Sequence, residues 1–232
     1  MIEIEGVTPS ADIRAQLAAE QRPVLLAFSC GKDAIAAWLA LHAAGIPVIP
    51  YYLRYMPGLQ FVEDTLDRFE QQFQTRIHRY PHPSLYRWLN NLVFQPPERA
   101  AIIEAAQLPT PTYEQMVTII RTDLGLDPAT WVADGVRAAD SIVRRASIKT
   151  HGPMKPKSRK VSVVWDWQKH EVYAEIEAAG ITLPPDYAWF GRSFDGIDYR
   201  FLEPLSRRAP ADYRRVLEWF PLADLELVRH GL

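Results

Sequence analysis

The stretch "LAFSCGKDAIAAW", residues 26 to 38, sets Ser29, Cys30, Gly31, Lys32 and Asp33 between an apolar run and an Ala-rich apolar segment. Those residue types suit a phosphate group. Ser29 supplies a hydroxyl, Gly31 lets the backbone approach closely, and Lys32 neutralises negative charge. If a helix follows, its first N–H groups and its positive end face the same anion. Two common nucleotide loops are excluded. The leading Gly of the Walker A pattern is missing and Asp33 follows Lys32, and a dinucleotide fingerprint needs three glycines where this loop has one. Taken alone, the five residues also fit a plain helix start.

A second group lies in "DGVRAADSIVRRAS", residues 134 to 147. Gly135 permits a tight exit from a preceding strand, and Arg137, Ser141 and Arg144 or Arg145 are spaced to share one side of a following helix. Arginine holds phosphate or sulfate through a planar fork of two charge-assisted bonds. The alternative is an exposed basic helix.

These groups need elements to place them. Residues 24 to 29 read as a buried strand, and 33 to 44 as a helix stopped by Gly45 and Pro47. A strand over 48 to 53 precedes a helix marked by Leu59, Val62, Leu66, Phe69 and Phe73 at spacings of three and four. A short strand near 76 to 80 follows, then helices on Leu85, Trp88, Leu89 and Leu92, over 98 to 106 and over 113 to 124, and a strand over 130 to 134. This alternation predicts an α/β fold, a doubly wound, mostly parallel sheet with helices on both faces. Ligands bind beyond the carboxyl ends of such strands, so the loops after Ser29, Leu53 and Asp134 share one rim.

Further along, "KTHGPMKPKSRK", residues 149 to 160, reads as a mobile basic loop, placed to act as a lid over polyphosphate or to touch nucleic acid or protein. A short strand over 161 to 167, a helix over 168 to 179, an irregular aromatic segment "LPPDYAWFGRSFDG" and a last helix near 211 to 220 follow. Its aromatic residues either pack or stack a base. The expected organisation is a nucleotide-binding α/β domain over 1–148. Residues 149–232 then supply the basic loop and a substrate-side helical segment of the same globular unit.

Ser29-Cys30-Gly31-Lys32-Asp33-Ala34 resembles the Ser-Gly-Gly-Lys-Asp-Ser loop of the PP-loop ATP pyrophosphatases, matching four of six positions. Gly135, Arg137, Asp140, Ser141 and Arg144 are similar to the Gly-x-Arg-x-x-(Glu/Gln)-Ser-x-x-Arg segment of phosphoadenosine phosphosulfate reductases in that group, with Asp140 for Glu or Gln. The resemblance runs from about residue 20 to 205. It implies a Rossmann-like fold of the adenine nucleotide alpha hydrolase type, binding ATP or a related adenine nucleotide with Mg²⁺. Ser29, Cys30, Gly31 and Lys32 would then line the pyrophosphate, and Asp33 would cap the helix or help hold Mg²⁺. The backbone near Tyr52 and Leu53 would receive adenine, and Gly135, Arg137, Ser141, Arg144 and Arg145 would also bind the nucleotide, with Arg137 and Arg144 holding the acceptor or the developing charge. Lys32, Arg137 and Arg144 would be the catalytic cations.

Two positions depart from that pattern: Ala34 lacks a hydroxyl, and Cys30 puts a side chain where Gly leaves room. The reductases also need a cysteine near their carboxyl end to take sulfite, and no cysteine follows Cys30. The expectation is therefore adenylyl transfer from ATP with pyrophosphate release, and not phosphosulfate reduction or an iron–sulfur cluster. A thiolate at Cys30 would be repelled by phosphate in the same loop, so a small, half-buried structural residue is expected there. A non-catalytic nucleotide-binding or regulatory homologue and a component of a nucleic-acid sulfur-modification system are the rival readings.

Composition narrows the rest. With 232 residues, 48% hydrophobic, the chain can bury a sizeable core. A net charge of −2 confines any nucleic-acid contact to a local basic patch. One cysteine forms no internal disulfide, and His78, His82 and His151 lack zinc-ligand spacing. The acidic start and the lack of a long apolar run predict a cytoplasmic protein without a membrane partner, and a homo-oligomer is allowed.

Overall fold

The computed structural model describes residues 1–231. In chain order the elements are α1 (Ser10–Ala19), β1 (Val24–Ala27), α2 (Lys32–Ala43), β2 (Val48–Arg54), α3 (Gln60–Phe73) and β3 (His78–Pro81). Then come α4 (Pro83–Asn90), α5 (Pro97–Ala106), α6 (Tyr113–Asp123), β4 (Val132–Asp134), α7 (Ile142–His151), β5 (Met154–Lys155) and β6 (Lys160–Ser162). The chain closes with α8 (Lys169–Ala178), α9 (Pro185–Phe190), α10 (Tyr199–Arg208), α11 (Pro210–Trp219) and α12 (Leu225–Arg229).

The six strands form one sheet in the order β3-β2-β1-β4-β6-β5. Neighbours β1 and β2, β1 and β4, and β4 and β6 run parallel, and β5 is antiparallel to β6. This is the α/β class that the alternation of elements predicts. Contacts divide the chain into two compact units: Met1–Tyr52, Thr75–His78 and Thr118–Leu183, and Leu53–Gln74, Arg79–Val117 and Pro184–Leu232.

The first unit carries the sheet core. Val24, Leu25 and Leu26 are buried, as expected for a central strand covered on both faces. In α2 seven residues are buried, among them Ala34, Ala36, Ala37 and Ala40, so the helix is apolar nearly all round and lies deep. Its small side chains let it approach β1, β4 and α8 closely. Trp38, on the same helix, meets Phe28 edge to face at 4.9 Å.

The second unit is mostly helical, with the end of β2 and most of β3. On α3, Phe61, Val62, Thr65, Leu66 and Phe69 make one buried face. Phe61, Phe190, Phe194 and Phe201 gather into an aromatic core, with Phe194 5.7 Å from Phe61 and 5.2 Å from Phe201. The aromatic segment is thus a packing element, and part of it is α9 rather than irregular chain.

Both units cap a helix with a carboxylate brought from far along the sequence. Helices α1 and α3 have no cap from their own flanking side chain. Asp166, buried, accepts from the Ser10 N–H at 2.9 Å and from its hydroxyl at 2.5 Å. Asp212, also buried, accepts from the N–H groups of Gln60 at 2.5 Å and Phe61 at 3.0 Å. A charge placed at a helix N-terminus satisfies donors that the helix cannot, so each link fixes one helix to a distant segment.

The residues at 149 to 160 correct the expectation of a mobile loop. They finish α7 and then form the β5–β6 hairpin. In register Val132 sits beside Lys160 and Asp134 beside Ser162, and the Val132 N–H donates to the Arg159 carbonyl at 2.7 Å. The turn at 156 to 159 therefore lies at the amino ends of β4 and β6, at the opposite edge from the loops that leave β1 and β4. It is not a lid for that rim.

Asp166→Ala leaves buried donors of α1 unsatisfied and should cost about 2–4 kcal/mol, read as a lower urea midpoint. A second effect comes from His82, whose Nδ1 accepts from the Ser84 N–H at 2.9 Å as the N-cap of α4. Burial, then the charge of Arg87, lowers its pKa to about 4. The unfolded chain binds this proton below about pH 6.5 while the folded chain does not until near pH 4, so stability falls as pH drops through that window. In His82→Gln that part of the pH dependence should vanish from urea midpoints.

Candidate functional site

Strand order reverses between β1 and β4: β2 and β3 lie to one side of β1, β4 and β6 to the other. The crevice at such a switch point, beyond the carboxyl ends, is where an open α/β sheet binds ligands. Residues 28 to 31 leave β1 there, and residues 135 to 141 leave β4.

The first loop turns sharply. Cys30 has φ +58°, the left-handed region that favours glycine, and it is 5% exposed. That geometry explains why glycine would suit the position and why the side chain, tolerated, is small. Exposed Ser29 turns its hydroxyl towards the Gly31 N–H, 3.4 Å away. Gly31 is the N-cap of α2 and supplies no side-chain bond. Asp33 does not cap the helix either, which corrects that part of the expectation. Its carboxylate instead lies between two cations, 2.6 Å from Lys32 Nζ and 2.8 Å from Arg137 Nε. The second contact is an ion pair without a directed hydrogen bond.

The second loop is pressed against the first. A Cβ on Gly135 would stand 2.3 Å from the Asp33 carbonyl oxygen and 2.9 Å from the Ala34 nitrogen. Only hydrogen fits, so glycine is required here by close approach and not by its φ. Arg137 is extended and precedes the helix, whereas the sequence placed it on a helix face with Ser141 and Arg144. Its side chain is 3% exposed: Nη2 donates to Asp140 at 2.6 Å and Nη1 to the Trp167 carbonyl at 3.3 Å, while Nε faces Asp33 through the ion pair alone. Ser141 caps α7, accepting from the Arg144 N–H at 3.1 Å. Arg144 is half-exposed and reaches back to Asp140 at 2.5 Å. Arg145 is exposed on α7.

The rim thus alternates charge: Lys32, Asp33, Arg137, Asp140, Arg144. Asp140, which the sequence offered only as a spacing match, joins the two arginines. Nearby, Asp134 accepts from the Val136 N–H at 3.1 Å. The residue is only partly covered, yet desolvation of its carboxyl outweighs the Ser162 and Val136 hydrogen bonds and raises its pKa. Burial, then Asp134, also raises the Tyr51 phenol above its ordinary value. Tyr52 and Leu53 lie within β2, Tyr52 buried. Among the described residues no group of three or more His, Cys, Asp or Glu is placed to hold a metal ion, and no helix is long and apolar enough to cross a membrane.

No protein-family model matches the chain, and no curated protein matches it. Among solved structures it is similar to a phosphoadenylyl-sulfate (PAPS) reductase from Candida auris in a phosphate complex. That likeness has a TM-score of 0.47 and 13% identity, covering 77% of this chain and 83% of that one.

Gly135→Ala forces the two loops apart and should cost roughly 2–3 kcal/mol. A fall in thermal midpoint of several degrees, with proteolysis of the 28–36 and 134–141 segments, is the expected readout.

Proposed function

We propose that the chain binds ATP or a related adenine nucleotide at the β1–β4 crevice and transfers its adenylyl group to an acceptor, releasing pyrophosphate. The observation that carries this reading is the convergence at the switch point of a glycine-tight loop, a helix N-terminus and the Lys32–Asp33–Arg137 cluster. In the reaction an acceptor oxyanion forms a bond to the α-phosphorus as the bond from that phosphorus to the β-phosphate bridging oxygen breaks. The protein positions the groups and neutralises charge rather than reacting covalently.

Ser29 and the Gly31 backbone would hold the pyrophosphate end, and Lys32 would exchange Asp33 for a phosphate oxygen. Arg144, the half-exposed arginine, is the better placed to meet the acceptor or the developing charge. Arg137, enclosed by Asp33, Asp140 and the Trp167 carbonyl, serves as a positioning residue. Mg²⁺ screens phosphate charge when bound. With Asp33 as the carboxylate of the loop, it would be held largely by the phosphates themselves. Adenine would lie against the backbone near Tyr52 and Leu53. Buried Cys30 is a structural residue of the turn, consistent with a protein that does not reduce phosphosulfate.

A second reading is a nucleotide-binding protein without turnover. It is favoured by the pairing of Lys32 and Arg144 with carboxylates, which leaves the loop internally neutralised. Pyrophosphate release from ATP decides between them. The wild-type chain should release it with a suitable acceptor, and Lys32→Ala should lower the rate at least about 100-fold. Unchanged release in Lys32→Ala would overturn the assignment, and tight ATP binding with no release across oxyanion acceptors would establish the second reading.

A further inference from the structure

Residues 141 to 165 contain seven Lys and Arg and no Asp or Glu, which leaves nineteen basic against twenty-eight acidic residues in the rest of the chain. Positive charge is therefore segregated onto one stretch of an otherwise acidic protein. In the fold that stretch is α7 followed by the β5–β6 hairpin at the edge of the sheet. Arg145, Lys149, Lys155 and Lys157 are exposed, and among the described residues none of the four makes an ion pair. The two parts adjoin: a cavity of about 330 Å³ is lined both by Lys149 and Thr150 at the end of α7 and by Met154 at the start of β5.

Among the described residues Arg144, at the rim, is the one cation of the stretch in an ion pair, with Asp140. Arg159 lies over the Trp131 ring, 5.1 Å from its centroid, and so braces the hairpin turn. A surface of this kind, with several exposed cations on a hairpin and helix that carry no carboxylate of their own, and with Asp134 of β4 the carboxylate that Lys155 and Lys160 sense, matches a regular array of phosphates better than a protein partner, which would bring mixed charge. The same stretch carries no Phe, Tyr or Trp from 141 to 162, so it has no platform on which unpaired bases would stack.

We propose that α7 and the β5–β6 hairpin form a docking surface for the phosphate backbone of double-stranded nucleic acid, bound without sequence preference. The surface begins at the end of α7 nearest the candidate nucleotide site, through Arg144 and Arg145, and extends to the opposite edge of the sheet through Lys157. It does not depend on nucleotide turnover.

The test is fluorescence anisotropy of a labelled 20-base-pair DNA duplex of arbitrary sequence with the full chain, titrated at several salt concentrations. Four phosphate contacts predict a slope of log K against log salt of about −3 to −4. The combined variant Lys149→Glu, Lys155→Glu, Lys157→Glu should make that slope shallower by two to three and weaken binding at least about tenfold. The Lys→Gln version at the same positions should fall between, which keeps the result readable if charge reversal perturbs folding. Lys32→Ala should bind duplex as the wild type does, so loss of pyrophosphate release and loss of duplex binding are separable. Absence of salt-dependent duplex binding, binding indifferent to the Lys→Gln variant, tighter binding of the single strand, or equal binding of polyglutamate would each overturn the proposal.

Discussion

Around one guanidinium, two loops become one site. Arg137 is taken almost entirely out of water and then surrounded by Asp33, Asp140 and the Trp167 carbonyl. A charge so placed tolerates little change in its partners, because replacing either carboxylate leaves a guanidinium that is nearly out of water with a single ionic partner. The consequence is positional. Asp33 belongs to the first turn of α2, which follows β1, Asp140 and Arg137 to the segment after β4, and Trp167 to the segment after β6. The arginine pins three neighbouring strand exits together, and Gly135 permits the contact by presenting nothing larger than hydrogen.

The same economy recurs away from the site. Asp166 and Asp212 are buried carboxylates whose oxygens meet the first N–H groups of α1 and α3. Neither helix could end its own donors locally, and both are held by a residue more than 150 positions away in the chain, at separations of 156 and 152. Each unit thereby gains a long-range constraint from one side chain. These contacts are stronger than neutral hydrogen bonds and directional, so they specify where a helix starts as well as that it is stable.

How much of this the sequence reveals follows from what leaves a pattern. The β1 strand and α2 are legible because an apolar run and an Ala-rich helix flank a polar turn, and α3 because five apolar residues repeat on one face. Of the β5–β6 hairpin only part of β6 is legible, as the start of the strand expected over 161 to 167, which ends at Ser162; β5 is not, since two residues cannot show a period and the intervening Pro156 and Lys157 read as loop. Helix α10 is hidden by Pro204 inside it, and α1 by its mostly small and polar residues. At the site, Gly135, Ser141 and Arg144 stand out by spacing, but the inward turn of Arg137 does not. Burial of an arginine depends on carboxylates from another loop, and no local pattern reports that. Asp140 was visible only as a letter in a spacing; its work is to face two arginines at once.

Cys30 also makes the loop observable. It is the single thiol of the chain, buried, and set in a left-handed turn that the loop must hold open against its side chain's preference. A thiol reagent can reach it only when that turn loosens. Its labelling rate therefore counts openings of this one turn, with no introduced probe and no competing site. Any ligand that settles over residues 29 to 33 writes its occupancy into that rate.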